Sequence, residues 1–153
     1  MKVEIKANIL KDLKNICITI DAPELTEEVQ NIIDYISNIS KKQSQIIADK
    51  DNKIYILELK DVICFFSKDK YNYVRTVNGI YRIKMKLYEL EEVLDKNDFI
   101  KISNSCIVNI NQVECFDISI LGTIVVKLKD DTKENVSKRN IKKVKQMLKE
   151  RRI

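Results

Sequence analysis

Along the chain, the spacing of apolar side chains changes several times. Ile16, Ile18 and Ile20 alternate with Cys17 and Thr19, which predicts a strand ended by Asp21-Ala22-Pro23. From Leu25 the period becomes helical. Leu25, Val29, Ile32, Ile33, Ile36 and Ile39 share one face, Thr26 is placed to cap the helix, and Glu27 and Glu28 suit the positive end of its dipole. Such a stripe packs either on the same chain's core or on another subunit, and both remain open.

After the polar stretch from Ser40 to Gln45 the pattern turns to short strands. Ile54–Leu57, Val62–Phe66 and Tyr73–Val77 are rich in β-branched and aromatic residues. Asn78-Gly79 favours a type I′ turn joining Tyr73–Val77 to Ile80–Met85 as a hairpin. Leu87, Leu90, Val93 and Leu94 predict a two-turn amphipathic helix. Strands resume at Phe99–Ile102, Cys106–Val108, Val113–Ile120 and Thr123–Leu128, with Gly122 in the turn between the last two. Asp130-Asp131 is a further hairpin turn, leading to a strand near Val136. From Arg139 to Arg152, Ile141, Val144 and Leu148 make a thin apolar stripe on a basic helix. Short strands without long intervening helices predict a mainly β, antiparallel domain over residues 46–153, preceded by a strand-helix extension over residues 1–45.

Composition narrows the chemistry. The 153 residues hold two glycines and one proline, too few for a glycine-rich phosphate loop, and no histidine, which excludes histidine-based nucleophile pairs and histidine-ligated metals. Cys17, Cys64, Cys106 and Cys115 form no CxxC pair and read as reduced structural thiols. No cofactor is expected. No apolar run reaches the roughly 18–20 residues of a membrane span and the start MKVEIKANIL has no signal core, which points to the cytoplasm. The net charge of +5 is unevenly spread. Residues 133–153 hold nine basic and two acidic side chains, whereas the two stretches before them each carry one net negative charge.

Two polar clusters interrupt the apolar strands: Lys68-Asp69-Lys70-Tyr71-Asn72 and Ser103-Asn104-Ser105. Each suits a plain turn. Asparagine, lysine and arginine are also the side chains that read base edges, so these loops beside a basic terminal segment make a coherent nucleic-acid surface. Ser103 or Ser137 with a neighbouring lysine would be an enzyme's alternative, but adjacent residues on an extended chain point apart. The chain is expected to be no enzyme.

Phe99-Ile100-Lys101-Ile102-Ser103-Asn104-Ser105-Cys106-Ile107-Val108-Asn109-Ile110 followed by Val113 resembles the central signature of LytTR-type DNA-binding domains, and Val136–Val144 resembles that family's terminal serine-basic-arginine segment. The resemblance covers about residues 46–150. It implies an elongated, mostly antiparallel β fold that reads double-stranded DNA through loops. By matching position, Asn72, Asn104 and Arg139 fall where the family contacts bases, and Lys70, Ser103, Lys138, Lys142 and Lys143 are placed for phosphates. This sequence has Ser-Asn-Ser where His-Arg-Ser is frequent, and Lys138-Arg139 where two arginines are frequent.

The resemblance further implies a transcriptional regulator acting as a homodimer on paired half-sites. Ala22–Gln30 resembles the short extension of small members without a receiver domain, which often occur with a membrane-protein partner acting as inhibitor; residues 25–39 would be the contact face. A rival expectation is a protein-interaction module that uses this helix and has no DNA role.

Overall fold

Every strand pair in the computed structural model is antiparallel, as short β-branched runs joined by tight turns favour. The structure describes residues 4–11, 16–40 and 43–151. The chain divides into two units, Met1–Ser40 and Lys41–Ile153.

The first unit holds helix α1, Glu27–Ser40. Thr26 caps it as expected, its Oγ1 accepting from the Val29 N–H at 3.3 Å. Residues 16–20 form no strand, and Ile16 and Ile18 are exposed. Alternation alone does not make a strand. The backbone groups need a ladder partner, and among the described residues this segment has none.

In the second unit the strands are β1 (Gln45–Lys50), β2 (Lys53–Glu58), β3 (Val62–Lys68), β4 (Tyr71–Thr76), β5 (Gly79–Ile83), β6 (Phe99–Ser103), β7 (Cys106–Asn109), β8 (Val113–Ile118), β9 (Ile124–Leu128) and β10 (Lys133–Asn135). Helix α2 spans Leu87–Val93 and α3 spans Lys138–Glu150. Seven strands form one sheet in the order β2-β1-β5-β4-β3-β7-β6, and β10-β9-β8 form a second.

Two apolar clusters hold the unit together. One contains Phe65, Val74, Tyr81, Ile83 and Ile107 with Leu87, Leu90 and Leu94 from the α2 segment. The other joins Ile63, Ile100, Ile102 and Val108 of the large sheet to Ile124, Val126 and Leu128 of the small sheet and to Val136 and Val144. The terminal helix is thus fixed by its thin stripe. Val144 is fully buried with Ile141, Met147 and Leu148 packed beside it, and one such buried side chain contributes about 1.5–3 kcal/mol, more than a surface ion pair.

Three local expectations change. Strand β1 was not legible as a separate run. It pairs with β2 through Asp51-Asn52, whose φ values of 51° and 61° give the I′ turn that Asp and Asn tolerate. The β4–β5 hairpin forms, but its loop is Val77-Asn78, with Thr76 opposite Gly79 and neither loop residue left-handed. The Thr76 hydroxyl sets this turn, accepting from Asn78 N–H at 3.1 Å and donating to the Gly79 carbonyl at 3.2 Å. The polar run from Lys68 to Asn72 is mostly strand. Lys68 pairs with Tyr71, leaving Asp69 and Lys70 as a two-residue I′ turn with φ of 51° and 68°.

Candidate nucleic-acid interface

Strand register gathers the polar clusters at one end of the large sheet. Strand β3 pairs with β7, Phe66 opposite Cys106, so the exit of β3 and the entrance of β7 lie side by side. The Ser67 N–H donates to the Ser105 carbonyl at 2.9 Å, tying the turn after β3 to the turn before β7. The Ser137 N–H donates to the Ile102 carbonyl at 2.8 Å, which brings the first turn of α3 to the same end.

Asn104, Lys70, Lys138, Arg139 and Lys142 are all exposed. None of the five makes a side-chain hydrogen bond or ion pair among the described residues. Lys138 and Lys142 share a shallow groove with Ile141, Lys145, Gln146 and Lys149 along α3. Ser137 gives α3 no side-chain cap and its first turn has no acidic residue, so the positive end of the helix dipole is uncompensated beside Arg139.

The other three expected residues are engaged within the protein. Ser103 Oγ lies 3.3 Å from Ser105 Oγ and accepts from the Ser105 N–H at 3.3 Å, closing its own turn. Lys143 pairs with Glu91 at 3.5 Å. Asn72 is in strand β4, not in a loop. Its Oδ1 accepts from Ser67 Oγ at 2.5 Å and its Nδ2 donates to the Met85 carbonyl at 3.0 Å.

Supporting residues emerge that the sequence did not single out. Glu91 on α2 receives Lys101 of β6 at 3.3 Å as well as Lys143. Partial burial pushes its carboxyl up, but hydrogen bonding and charge from Lys101, joined by Lys143, outweigh that and hold it below the usual value. Arg75 spans the two sheets, its Nη1 donating to Thr132 Oγ1 at 3.1 Å and its guanidinium lying near Asp130 and Glu134 and 5.0 Å from the centre of the Phe66 ring. Thr132, Asp130 and Glu134 are more than fifty residues away from it in the chain, a pairing no local pattern announces. Asn109, part of the signature that carried the resemblance, is buried. Its Nδ2 donates to the Val62 carbonyl at 2.8 Å and its Oδ1 accepts from the Asn111 N–H at 3.0 Å.

Cys64 and Cys106 are buried, and Cys17 and Cys115 are exposed. A hydrogen bond to Cys64 and burial together push the Cys106 thiol far up, keeping it neutral.

Residues 52–149 match the family model of the LytTr DNA-binding domain. The chain belongs to this family. Two uncharacterised HTH-type transcriptional regulators of Staphylococcus aureus, from strains NCTC 8325 and MRSA252, are each 34% identical over 131 residues, covering 86% of this chain and 88% of theirs. A LytTr DNA-binding domain from Bacillus cereus superposes with a TM-score of 0.67 over 69% of this chain and 97% of its own, at 23% identity, a likeness of fold. The helix-turn-helix label belongs to the relatives' names. Among the described residues of this LytTr protein no two helices follow one another, strands intervening between α1, α2 and α3. Membership makes the chain a DNA-binding regulator whose β scaffold, in place of a helix pair, carries the polar end.

Proposed function

We propose that this LytTr protein regulates transcription by binding double-stranded DNA sequence-specifically, with Asn104 and Arg139 contacting bases. Lys70, Ser103, Lys138, Lys142 and Lys143 then contact phosphates, Lys143 exchanging Glu91 for a phosphate oxygen. The observation that carries this reading is the Ser137–Ile102 backbone bond, which brings Arg139 and Asn104, both without a side-chain partner among the described residues, to one end of the large sheet. Phosphate contacts fix register, whereas bidentate side chains such as Asn on adenine and Arg on guanine carry sequence information.

Two further parts of the reading concern assembly. The protein acts as a homodimer on paired half-sites, and residues 25–39 meet a membrane-protein inhibitor. Support for the second comes from the first unit, where Leu25, at the start of the apolar stripe and just before α1, and Tyr35 of α1 are exposed.

The test begins with selection of a site from a random duplex pool at physiological salt, followed by affinity measurements on the selected and random duplexes. If about six phosphates are neutralised, log K should fall against log salt with a slope near −5. Arg139→Ala should lower affinity for the selected duplex about 5- to 150-fold and leave random duplexes nearly unchanged, while Lys142→Ala should weaken both alike. Equal losses on both duplexes for both variants would contradict the roles. Failure to recover any site, with salt-insensitive association through α1, would support a protein-interaction module instead.

A further inference from the structure

The family resemblance puts Asn72 among the base-contacting side chains, yet both ends of its amide are taken up inside the protein. Pairing of Ser67 with Asn72 and of Phe65 with Val74 places Asn72 on the sheet face that carries Phe65 and Val74. From there its Oδ1 accepts from Ser67 Oγ at 2.5 Å, and its Nδ2 donates to the carbonyl of Met85, two residues before α2. Ser67 in turn donates its backbone N–H to Ser105, the residue after Asn104. These bonds form a crossbar under the two turns, running from Met85 through Asn72 and Ser67 to Ser105. We propose that Ser67 and Asn72 are positioning residues that hold the Asn104 turn and the Asp69-Lys70 turn in register for DNA, and that Asn72 does not itself read a base. The inference rests on the DNA-reading role of Asn104.

The physical ground is exchange of partners. For Asn72 to pair bidentately with adenine it would have to turn its amide outward, leaving the partly buried Ser67 hydroxyl and the Met85 carbonyl without their present partners. A turn held at its base, by contrast, loses geometry when the crossbar is cut, and bidentate base contacts are the interactions most sensitive to misplacement. Diffuse phosphate attraction is the least sensitive.

The experiment measures full-chain variants against the selected duplex, a random duplex and a set of selected duplexes each carrying one altered base pair. Ser67→Ala and Asn72→Ala should each lower discrimination between selected and random duplexes about five- to fifty-fold. They should relax the same base positions that Asn104→Ala relaxes and leave the salt slope unchanged. The double variant should lose no more than either single one, as expected for residues acting through one contact. Ser67→Thr, which keeps the hydroxyl, should restore discrimination, and Ser67→Cys, of similar size but a weak donor, repeats the comparison without opening a cavity.

If Asn72→Ala relaxes a base position that Ser67→Ala leaves intact, Asn72 reads that base and the proposal falls. Full discrimination by Ser67→Ala and Ser67→Cys would also overturn it, with the DNA-binding reading still standing. A wild-type protein without any base preference would remove both.

Discussion

Asn109 lies within the signature that carries the family resemblance, and its place in the core allows scaffold to be separated from interface. It is 2% exposed. Asn109→Ala removes a 2.8 Å bond to the Val62 carbonyl and a 3.0 Å bond from the Asn111 N–H. The first is buried, so losing it leaves the carbonyl without this donor at a cost of about 1–3 kcal/mol. The second is at the surface side of the turn, where water can replace the lost acceptor, and adds about 0.5–1.5 kcal/mol. A total of about 2–4 kcal/mol is a large share of the 5–15 kcal/mol typical of a domain. With a urea m-value of about 2 kcal/mol/M, the unfolding midpoint should fall by about 1–2 M with m unchanged. DNA affinity at concentrations of urea where the variant stays folded should match the wild type. A destabilisation below about 1 kcal/mol, or an affinity loss in the fully folded protein, would refute the assignment of Asn109 to the scaffold.

Other outcomes follow from the contacts around the site. Arg75→Met deletes the link to Thr132, Asp130 and Glu134 and should destabilise the fold by about 1–3 kcal/mol in denaturant titration. Because the lowered pKa of Glu91 arises from Lys101 and Lys143, its contribution is present above the ordinary carboxylate range and is lost as pH falls through the lowered folded value. Glu91→Gln should therefore lower stability at pH 7 by less than about 1 kcal/mol, and the difference from wild type should close in acid, as followed by thermal unfolding from pH 7 to pH 3. The same substitution frees Lys143, so affinity for selected and random duplexes should rise together; a fall on both would argue against Lys143 as a phosphate contact.

Much of the second unit was legible because its signals are local. The β-branched runs, the turn residues and the two-turn pattern around Leu87 all depend on near neighbours, and so does the stripe Ile141, Val144 and Leu148 that seats α3. Residues 16–20 show the limit of such signals. Their alternation is as regular as that of β9, but β9 has β8 and β10 on its flanks and residues 16–20 have no ladder among the described residues. Strand β1 was hidden by its charged end, where Asp49 and Lys50 run into the left-handed turn Asp51-Asn52 that closes the hairpin with β2. The site was legible in its residue types and only partly in their roles. Among the described residues Asn104 and Arg139 carry no internal side-chain partner, while Asn72, Ser103 and Lys143 are bonded within the protein, a distinction set by neighbours up to 52 residues away.

The left-handed turn at Asp69-Lys70 has a consequence for how this surface can evolve. Lys70 holds a φ of 68°, a conformation that costs an ordinary L-residue about 1–2 kcal/mol and glycine almost nothing. Selection for a more robust fold alone would drive this position to glycine, erasing a cation at the proposed interface. Keeping lysine there sets thermal robustness against grip on the duplex, so variants of this protein selected for heat tolerance and variants selected for tight binding should part company at residue 70.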